Sequence, residues 1–372
     1  GYKQVRVEQA KVEPVSAMKT LLRDTATASL AADPSDKVVS TLIDRLVAAN
    51  AHNLIAATGG MISVDTSGRA RTALGIITSA AVREARGLLD RMSALPAGAQ
   101  RGNLTEQYLT LVPHAIPVQA SRGWADGWLD TYTSVQRQRD LLDALESSAS
   151  YAAAAASAQV AADAGDIDED FFRYRVHRLD ESSEEFQAVV ARFHDTKKAE
   201  HGSAYTKAPK YVYRLEDRRH ADDIAAVHKK VRNVQKLWHG TGAANVLSIL
   251  HKGLFVPPVH GSGIRIAGRM FGAGVYLSQT STKSLRYSTG AWGGDTAGSP
   301  STFMFLTETA MGYEYRPKGT IPWNSFTRPR ADENGKPYNS TNALPKLIPS
   351  LANHEAVVED PMQVALTWLV EF

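Results

Sequence analysis

Three short stretches in the last third of the chain decide its fold: LWHGT at 237–241, MFGAGVY at 270–276 and HEAVV at 354–358. Each stretch is a strand-like run that carries one chemically active residue, and these residues are His239, Tyr276 and Glu355. Short apolar runs of this kind are consistent with buried strands. We therefore expect the imidazole, the phenol and the carboxylate to converge on a single pocket.

A fourth stretch, KSLRY at 283–287, extends this set of side chains. On a helix, the hydroxyl of Ser284 and the ring of Tyr287 lie about one turn apart. Gly240 follows His239 directly, and its bare backbone allows a planar amide to approach closely. The combination suits a ligand that has a flat aromatic ring, an amide and a ribose. Nicotinamide riboside is such a ligand.

Length and composition set the outer limits. A chain of 372 residues predicts two domains, because single cores rarely grow beyond about 250–300 residues. The formal charge of +3 is too small to indicate a nucleic-acid surface, and the absence of cysteine excludes disulfides and thiolate metal sites. No apolar stretch approaches the ~20 residues of a membrane span. Because the chain starts with Gly1 rather than Met, we expect a fragment. The absence of cysteine suits an intracellular protein, which we expect to be nuclear if eukaryotic, or in the cytoplasm or nucleoid if bacterial.

The N-terminal half has the periodicity of amphipathic helices. A first stripe begins after Ser35, the predicted N-cap, and a second helix begins at Ser79. Further helices are predicted over about 103–112 and from about 125 onward. The first stripe consists of Val39, Leu42, Ile43, Leu46 and Val47. The pattern predicts an all-α helical bundle, followed by an Ala- and Ser-rich linker.

The C-terminal half combines strands with few helices. Strands are predicted at 172–176, 211–215, 303–306 and 362–372, and one helix is predicted over 182–193. This order is typical of an α+β domain with a mostly antiparallel sheet. Residues 312–350 are predicted to form a long loop. The predicted organisation is a tail over 1–30, a helical domain over 31–150, a linker over 151–165 and an α+β domain over 166–372.

From His239 to Phe372 the chain resembles the catalytic domain of poly(ADP-ribose) polymerases, whose hallmark is a His-Tyr-Glu triad. FGAGVY at 271–276 resembles the family's Phe-Gly-x-Gly-Ile-Tyr, and the spacing from Tyr276 to Tyr287 is the same. The N-terminal half, in particular YLTLVPH at 108–114, resembles the helical regulatory domain of the DNA-dependent members. The resemblance implies a multi-domain protein: the helical bundle followed by an ADP-ribosyltransferase domain over 166–372.

The resemblance also implies roles for individual residues in binding the co-substrate NAD. Gly240 and the Ser284 hydroxyl would hold the nicotinamide carboxamide, and His239 would contact a ribose hydroxyl of the adenosine half. Tyr287 would stack on the nicotinamide ring, with Tyr276 as the opposite wall. By themselves, both tyrosines could equally be half-buried sheet residues.

Two further residues border this pocket. Arg265 is a candidate for contact with the adenosine or the pyrophosphate, although a solvated loop arginine is an equal alternative. Glu355 precedes an apolar run, and a carboxylate at a buried strand is either paired or functional. Cleavage of the nicotinamide–ribose bond builds oxocarbenium character on the sugar, as in glycoside hydrolysis. A hydrogen bond from the sugar that strengthens in that transition state contributes about 10²–10³ in rate. No metal is expected.

The implied function is NAD-dependent transfer of ADP-ribose to proteins, including the chain itself, and to growing polymers. The helical domain would be autoinhibitory, and DNA breaks would act through an upstream module rather than through this chain; no membrane partner is expected. Glu355 and Met270 favour chain extension, whereas Asn353 and His354 replace the family's common Tyr-Asn. Two alternatives stay open: a mono-ADP-ribosyltransferase, and a non-catalytic module that binds NAD or ADP-ribose.

Overall fold

The structure is a computed structural model that describes residues 27–58, 61–64, 70–72, 75–93, 95, 99–115, 172–254, 256, 270–272, 274–289, 301–319 and 329–372. Between 115 and 172 it also describes the short segments 128–129, 134–135, 137–139, 141–142 and 145–146. Among these residues, no helix combines the length and the apolar composition that crossing a lipid bilayer demands.

The N-terminal half is helical with a small sheet. Helix α1 spans Lys37–Ala57, α2 spans Ser79–Ser93 and α3 spans Ala99–Leu111. Between α1 and α2, strands β1 (Ser63–Val64), β2 (Ala70–Thr72) and β3 (Gly75–Ile76) form an antiparallel sheet. The α1 N-terminus is capped by Asp36, whose carboxylate accepts the amide of Val38 at 2.8 Å, and not by the predicted Ser35.

The C-terminal half begins with a five-stranded antiparallel sheet. Its strands are β4 (Tyr174–Arg178), β5 (Tyr211–Asp217), β6 (Val234–Gly240), β8 (Phe303–Ala310) and β12 (Val364–Glu371), in the order β4-β5-β12-β8-β6. The prediction of an α+β domain with a mostly antiparallel sheet is confirmed. The predicted strand at 172–176 starts two residues later in the structure, at Tyr174.

A second sheet stands against the end of β6. It contains β7 (Val275–Leu277), β11 (Glu355–Val358), β10 (Ser340–Ala343) and β9 (Glu314–Tyr315), in the order β7-β11-β10-β9. Trp238 and Ser278 join the two sheets: each donates its amide to the carbonyl of the other, at 2.8 and 3.0 Å. This bridge brings the end of β6 next to the end of β7.

Two strands of the second sheet lie where a loop was predicted. β9 and β10 fall within 312–350, so the prediction of one continuous loop is wrong there. The sequence of β10 is STNA, and all four of its residues are buried. Small polar residues buried through hydrogen bonds have neither the apolar run nor the alternation from which strands are recognised.

Helices cover the sheets of the C-terminal half. They are α4 (Glu184–Asp195), α5 (Ala221–Val231), α6 (Ala243–Lys252) and α7 (Ser281–Ser288). The helix predicted over 182–193 is confirmed as α4: the Ser183 hydroxyl caps it by accepting the amide of Phe186 at 3.2 Å. α7 leaves the second sheet directly after β7, which places its first turn beside β6 and β11.

The helices of the N-terminal half do not share one core. The predicted stripe of α1 is buried, but it packs with the main sheet and α6 rather than with α2 and α3. That joint core includes Leu42, Leu46, Tyr213, Leu247, Phe305 and Leu369. A separate core holds α2 and α3 together with residues of the 128–146 segments, among them Val82, Leu89, Tyr108, Leu129 and Leu142. A complete bundle over 31–150 extends beyond the described residues and stays a prediction, as do the domain boundaries.

Candidate active site

His239 and Gly240 form the end of β6, facing β7. The Nδ1–H group of His239 donates to the carbonyl of Tyr276 at 3.0 Å, because a carbonyl oxygen can only accept. The neutral ring therefore presents Nε2 as its acceptor nitrogen. Burial lowers the pKa of His239, with the nearby Lys283 ammonium acting in the same direction. The imidazole is thus held neutral and oriented, which suits a hydrogen bond accepted from a hydroxyl.

Gly240 and Ser284 touch through their backbones. A Cβ atom added to Gly240 would lie 1.7 Å from the carbonyl oxygen of Ser284, so only glycine fits between β6 and α7. The Ser284 hydroxyl donates to the carbonyl of Trp238 at 3.1 Å, one residue before His239. The predicted pair for an amide ligand, Gly240 and Ser284, is therefore brought together. Because the hydroxyl proton is used in this bond, the Ser284 oxygen can only accept a hydrogen bond from a ligand. It could donate to a ligand only if the hydroxyl turned away from Trp238.

Tyr276 uses its hydroxyl to hold the turn that precedes it. The hydroxyl donates to the carbonyl of Gly272 at 2.7 Å and accepts the amide of Phe271 at 3.1 Å. Gly272 adopts a φ of 90°, a left-handed conformation that favours glycine. The Gly-rich stretch thus shapes a tight turn into β7, as its sequence indicates. That the ring of Tyr276 forms a wall of the nicotinamide pocket stays a prediction.

Glu355 is the first residue of β11, the strand that pairs with β7. Val357 pairs with Tyr276 in the antiparallel register, and Glu355 lies two residues earlier on the same face of the strand. The carboxylate forms an ion pair with Lys283, at 2.6 Å between Oε2 and Nζ. Their side chains are 13% and 7% exposed, so the pair is largely shielded from water. Burial raises the pKa of Glu355, and Lys283 partly offsets the rise.

Lys283 is the residue of this site to which sequence reasoning assigned no role. It lies within the KSLRY stretch, one position before Ser284, and its Nζ atom lies 2.6 Å from Glu355 and 5.2 Å from the centroid of the Tyr287 ring. A lysine four residues before an aromatic residue on a short helix was a usable signal, because such pairs face each other. Only the fold, however, brings the carboxylate to it.

The fold therefore groups most of the predicted residues around one junction. His239 and Gly240 end β6, Tyr276 lies on β7, Ser284 on α7 and Glu355 on β11. Tyr287 lies on the last turn of α7 and is 37% exposed. Arg265 lies outside the described residues. Within the described part of the chain, His, Asp and Glu side chains are not grouped in threes that could hold a metal ion, and the expectation of no metal stays a prediction.

An antiparallel sheet and a mixed sheet bring a histidine, a tyrosine and a glutamate to adjoining strands. This arrangement defines the class expected from the sequence, an ADP-ribosyltransferase. The poly(ADP-ribose) polymerase catalytic domain family matches residues 183–372, which is half of the chain. The chain belongs to this family. The predicted family is confirmed, and the predicted enzyme class, an NAD⁺ ADP-ribosyltransferase, is confirmed at the level of the family.

Relatives agree with this assignment. A "Poly [ADP-ribose] polymerase" of Drosophila melanogaster is 26% identical over 286 residues, which are 71% of this chain and 27% of that protein. "Protein mono-ADP-ribosyltransferase PARP3" of Mus musculus is 32% identical over 153 residues, 40% of this chain and 25% of the mouse protein. A "Poly [ADP-ribose] polymerase tankyrase" of Caenorhabditis elegans is 35% identical over 92 residues, 25% of this chain and 4% of that protein. The chain spans about a quarter of the length of the fly and mouse relatives.

Proposed function

We propose that this chain cleaves the nicotinamide–ribose bond of NAD and transfers ADP-ribose to protein side chains and then to the growing polymer. The observation that carries the proposal is the buried Lys283–Glu355 pair beside the His239–Gly240 end of β6. A charged carboxylate is expensive to bury, and this one lies where binding of the donor ribose is expected. Its position supports a catalytic role more than a structural one.

Each side chain has a distinct task in this reaction. Gly240 and Ser284 hold the carboxamide, and Tyr287 stacks on the nicotinamide ring. The Nε2 atom of neutral His239 accepts a hydrogen bond from a hydroxyl of the adenosine ribose. Glu355 accepts a hydrogen bond from a hydroxyl of the nicotinamide ribose, and this hydrogen bond strengthens as positive charge develops on the sugar. The same carboxylate takes the proton of the acceptor hydroxyl as the new glycosidic bond forms. NAD is the co-substrate, and nicotinamide leaves with the bonding electrons.

A polymeric product is the first candidate, and single-unit transfer is the second. Glu355 favours polymer, and so does Met270, which the resemblance to the family puts near the acceptor and which is 39% exposed. The second candidate is favoured by Asn353 and His354, which depart from the family's common Tyr-Asn. A relative named as a mono-ADP-ribosyltransferase also supports it.

Regulation by the helical half is part of the proposal. The α2–α3 core has its own apolar interior, and an exposed ion pair connects it to the catalytic half: Lys252 Nζ lies 3.7 Å from Glu146 Oε1, and both side chains are 42% exposed. Exposed pairs of this kind contribute about 0–1 kcal/mol. In this proposal the α2–α3 unit restrains access to NAD, and it opens once an upstream DNA-bound module loosens it, as low-stability parts of proteins do.

Glu355→Gln tests the proposed reaction. With labelled NAD, we expect incorporation into protein to fall about 100-fold or more while NAD affinity by calorimetry stays unchanged. Glu359→Gln is the matched control, since Glu359 lies just past the same strand and pairs with Arg330 on the surface. Product length on a gel separates polymer from single units. A wild-type chain that binds NAD without turnover would instead support the non-catalytic module.

A further inference from the structure

His354 directly precedes Glu355 and is enclosed in hydrogen bonds. It is 6% exposed, and both ring nitrogens have partners. Nδ1 accepts the backbone amide of Gln279 at 3.0 Å, and Nε2–H donates to Oδ1 of Asn342 at 2.9 Å. A backbone amide can only donate, so Nδ1 carries no proton. The contacts therefore specify one neutral tautomer, the one protonated on Nε2.

The bonds beyond Asn342 fix its orientation as well. Its side-chain NH₂ group donates to Oε2 of Glu314 at 2.8 Å, which leaves Oδ1 to accept from the imidazole. The side chain of Glu314 is itself 6% exposed, and its carboxylate accepts hydrogen bonds from Arg316 and Gln235, each at 2.8 Å. These donors lower the pKa of Glu314 against the effect of its burial. The Glu314–Asn342–His354 chain is thus anchored on a carboxylate that stays ionised.

His354 holds the junction between β7 and α7 at two points. Its ring accepts the amide of Gln279, and its carbonyl accepts the hydroxyl of Ser278 at 2.7 Å. Residues 278–280 connect β7 to α7, and the first turn of α7 carries Lys283. One residue therefore ties the segment leading to Lys283 to the residue that precedes Glu355.

We infer that His354 is a positioning residue for ADP-ribosyl transfer: its imidazole locks the β7–α7 junction onto the start of β11 and so sets the Lys283–Glu355 contact. The inference rests on the proposed function, because it assigns the contact to the reacting centre. Burial, with the nearby Lys283 ammonium, lowers the pKa of His354 to about 4, so the lock is intact at neutral pH. Protonation of Nδ1 would turn this nitrogen into a donor, and the hydrogen bond from the Gln279 amide would be lost.

Two substitutions separate the contributions of the two hydrogen bonds made by the His354 ring, the one from Gln279 and the one to Asn342. His354→Asn keeps an oxygen near the position of Nδ1 and can still accept from Gln279, but it loses the bond to Asn342. His354→Gln keeps a donor near the position of Nε2 and loses the acceptor for Gln279. We expect kcat to fall about twofold in His354→Asn and about tenfold in His354→Gln, because the bond lost in His354→Gln is the one that orients the Lys283–Glu355 pair. KM for NAD should stay within about twofold of wild type in both variants.

Titration of the Glu355 carboxyl by NMR supplies a readout that is independent of turnover. In His354→Gln, loss of the lock moves Lys283 away, so the pKa of Glu355 should rise further, by about half a unit or more. Should His354→Gln fail to fold, Ser278→Ala removes the second attachment without touching the imidazole, and the same rise in smaller measure is expected. A lower kcat together with a higher Glu355 pKa supports the inference.

Opposite outcomes overturn it. If both His354 variants match wild type in kcat, or if Glu355 titrates identically in His354→Gln, Ser278→Ala and wild type, His354 does not position the pair. A wild-type chain without NAD turnover would remove the proposed function, and the Glu355 titration would still decide whether His354 sets the Lys283–Glu355 contact.

Discussion

Lys283 and Glu355 meet at 2.6 Å between Nζ and Oε2, and this contact joins the helix and the strand that border the proposed pocket. Taking both charges out of water carries a penalty of several kcal/mol per ion, which their attraction offsets only when the geometry is good. A buried pair of this kind is therefore weak evidence for stability. Its place beside His239 makes it better explained by the proposed chemistry.

Removing the ammonium should shift the pH dependence of catalysis. In Lys283→Met, Glu355 loses the interaction that offsets its burial, so its pKa rises further and less of the carboxylate is ionised near neutral pH. We expect the acidic limb of the kcat profile to move to higher pH by about one unit. Lys336→Met is the control, because Lys336 lies over the Tyr313 ring at 4.0 Å on the surface. An acidic limb at the same pH as in wild type would contradict the assignment of Glu355.

The contact between β6 and α7 predicts a sharp difference between two glycines. In Gly240→Ala, the new methyl group would lie 1.7 Å from the Ser284 carbonyl, so β6 and α7 must separate. We expect a loss of about 1–3 kcal/mol or more in the free energy of unfolding, and loss of NAD binding. Gly242→Ala, two residues later, meets no heavy atom within 4 Å and should change unfolding by about 0.5 kcal/mol or less. Denaturant unfolding and calorimetry measure both effects, and equal behaviour of the two variants would refute the packing argument.

A buried ion pair should anchor α1 to the catalytic half. Arg45 lies 2.7 Å from the carboxylate of Glu371, whose side chain is fully buried and also accepts from Tyr213 and Ser301. Arg45→Ala leaves that charge without its cation, so we expect unfolding to become easier by about 3–5 kcal/mol. Arg178→Ala breaks the more exposed pair with Asp36 at the N-terminus of α1 and should cost about 1 kcal/mol or less. Chemical denaturation measures the difference, and equal losses would mean that the buried pair is not the anchor.

Because α1 packs in the core of the catalytic half and α2 and α3 have a separate core, autoinhibition can be tested by removing the α2–α3 unit alone. Replacing residues 61–165 by a flexible linker keeps α1 in its core and removes the α2–α3 unit. We expect this protein to stay folded and to turn over labelled NAD faster than the intact chain. A fragment of 166–372 alone would lose α1, expose the core around Leu247 and Leu369, and unfold more easily. Equal turnover with and without the α2–α3 unit would remove the autoinhibition proposal.

Much of the site was predictable because its signals are local. Strand-like runs around His239, Tyr276 and Glu355 and the helical spacing of Ser284 and Tyr287 are visible in the order of residues. β10 escaped prediction, because its STNA sequence is buried through hydrogen bonds and not through apolar surface. The partner of α1 also escaped, because an apolar stripe shows that a helix face is buried but not against what.

By itself, the amino-acid order determined which segments form strands and helices near the site and which side chains bring chemistry to it, because periodicity and residue type are short-range properties. The tertiary structure decided the pairings: Lys283 with Glu355, His354 with Gln279, and Arg45 with Glu371 across 326 residues. Contacts between residues distant in sequence depend on how sheets and helices pack, and no local pattern records that packing.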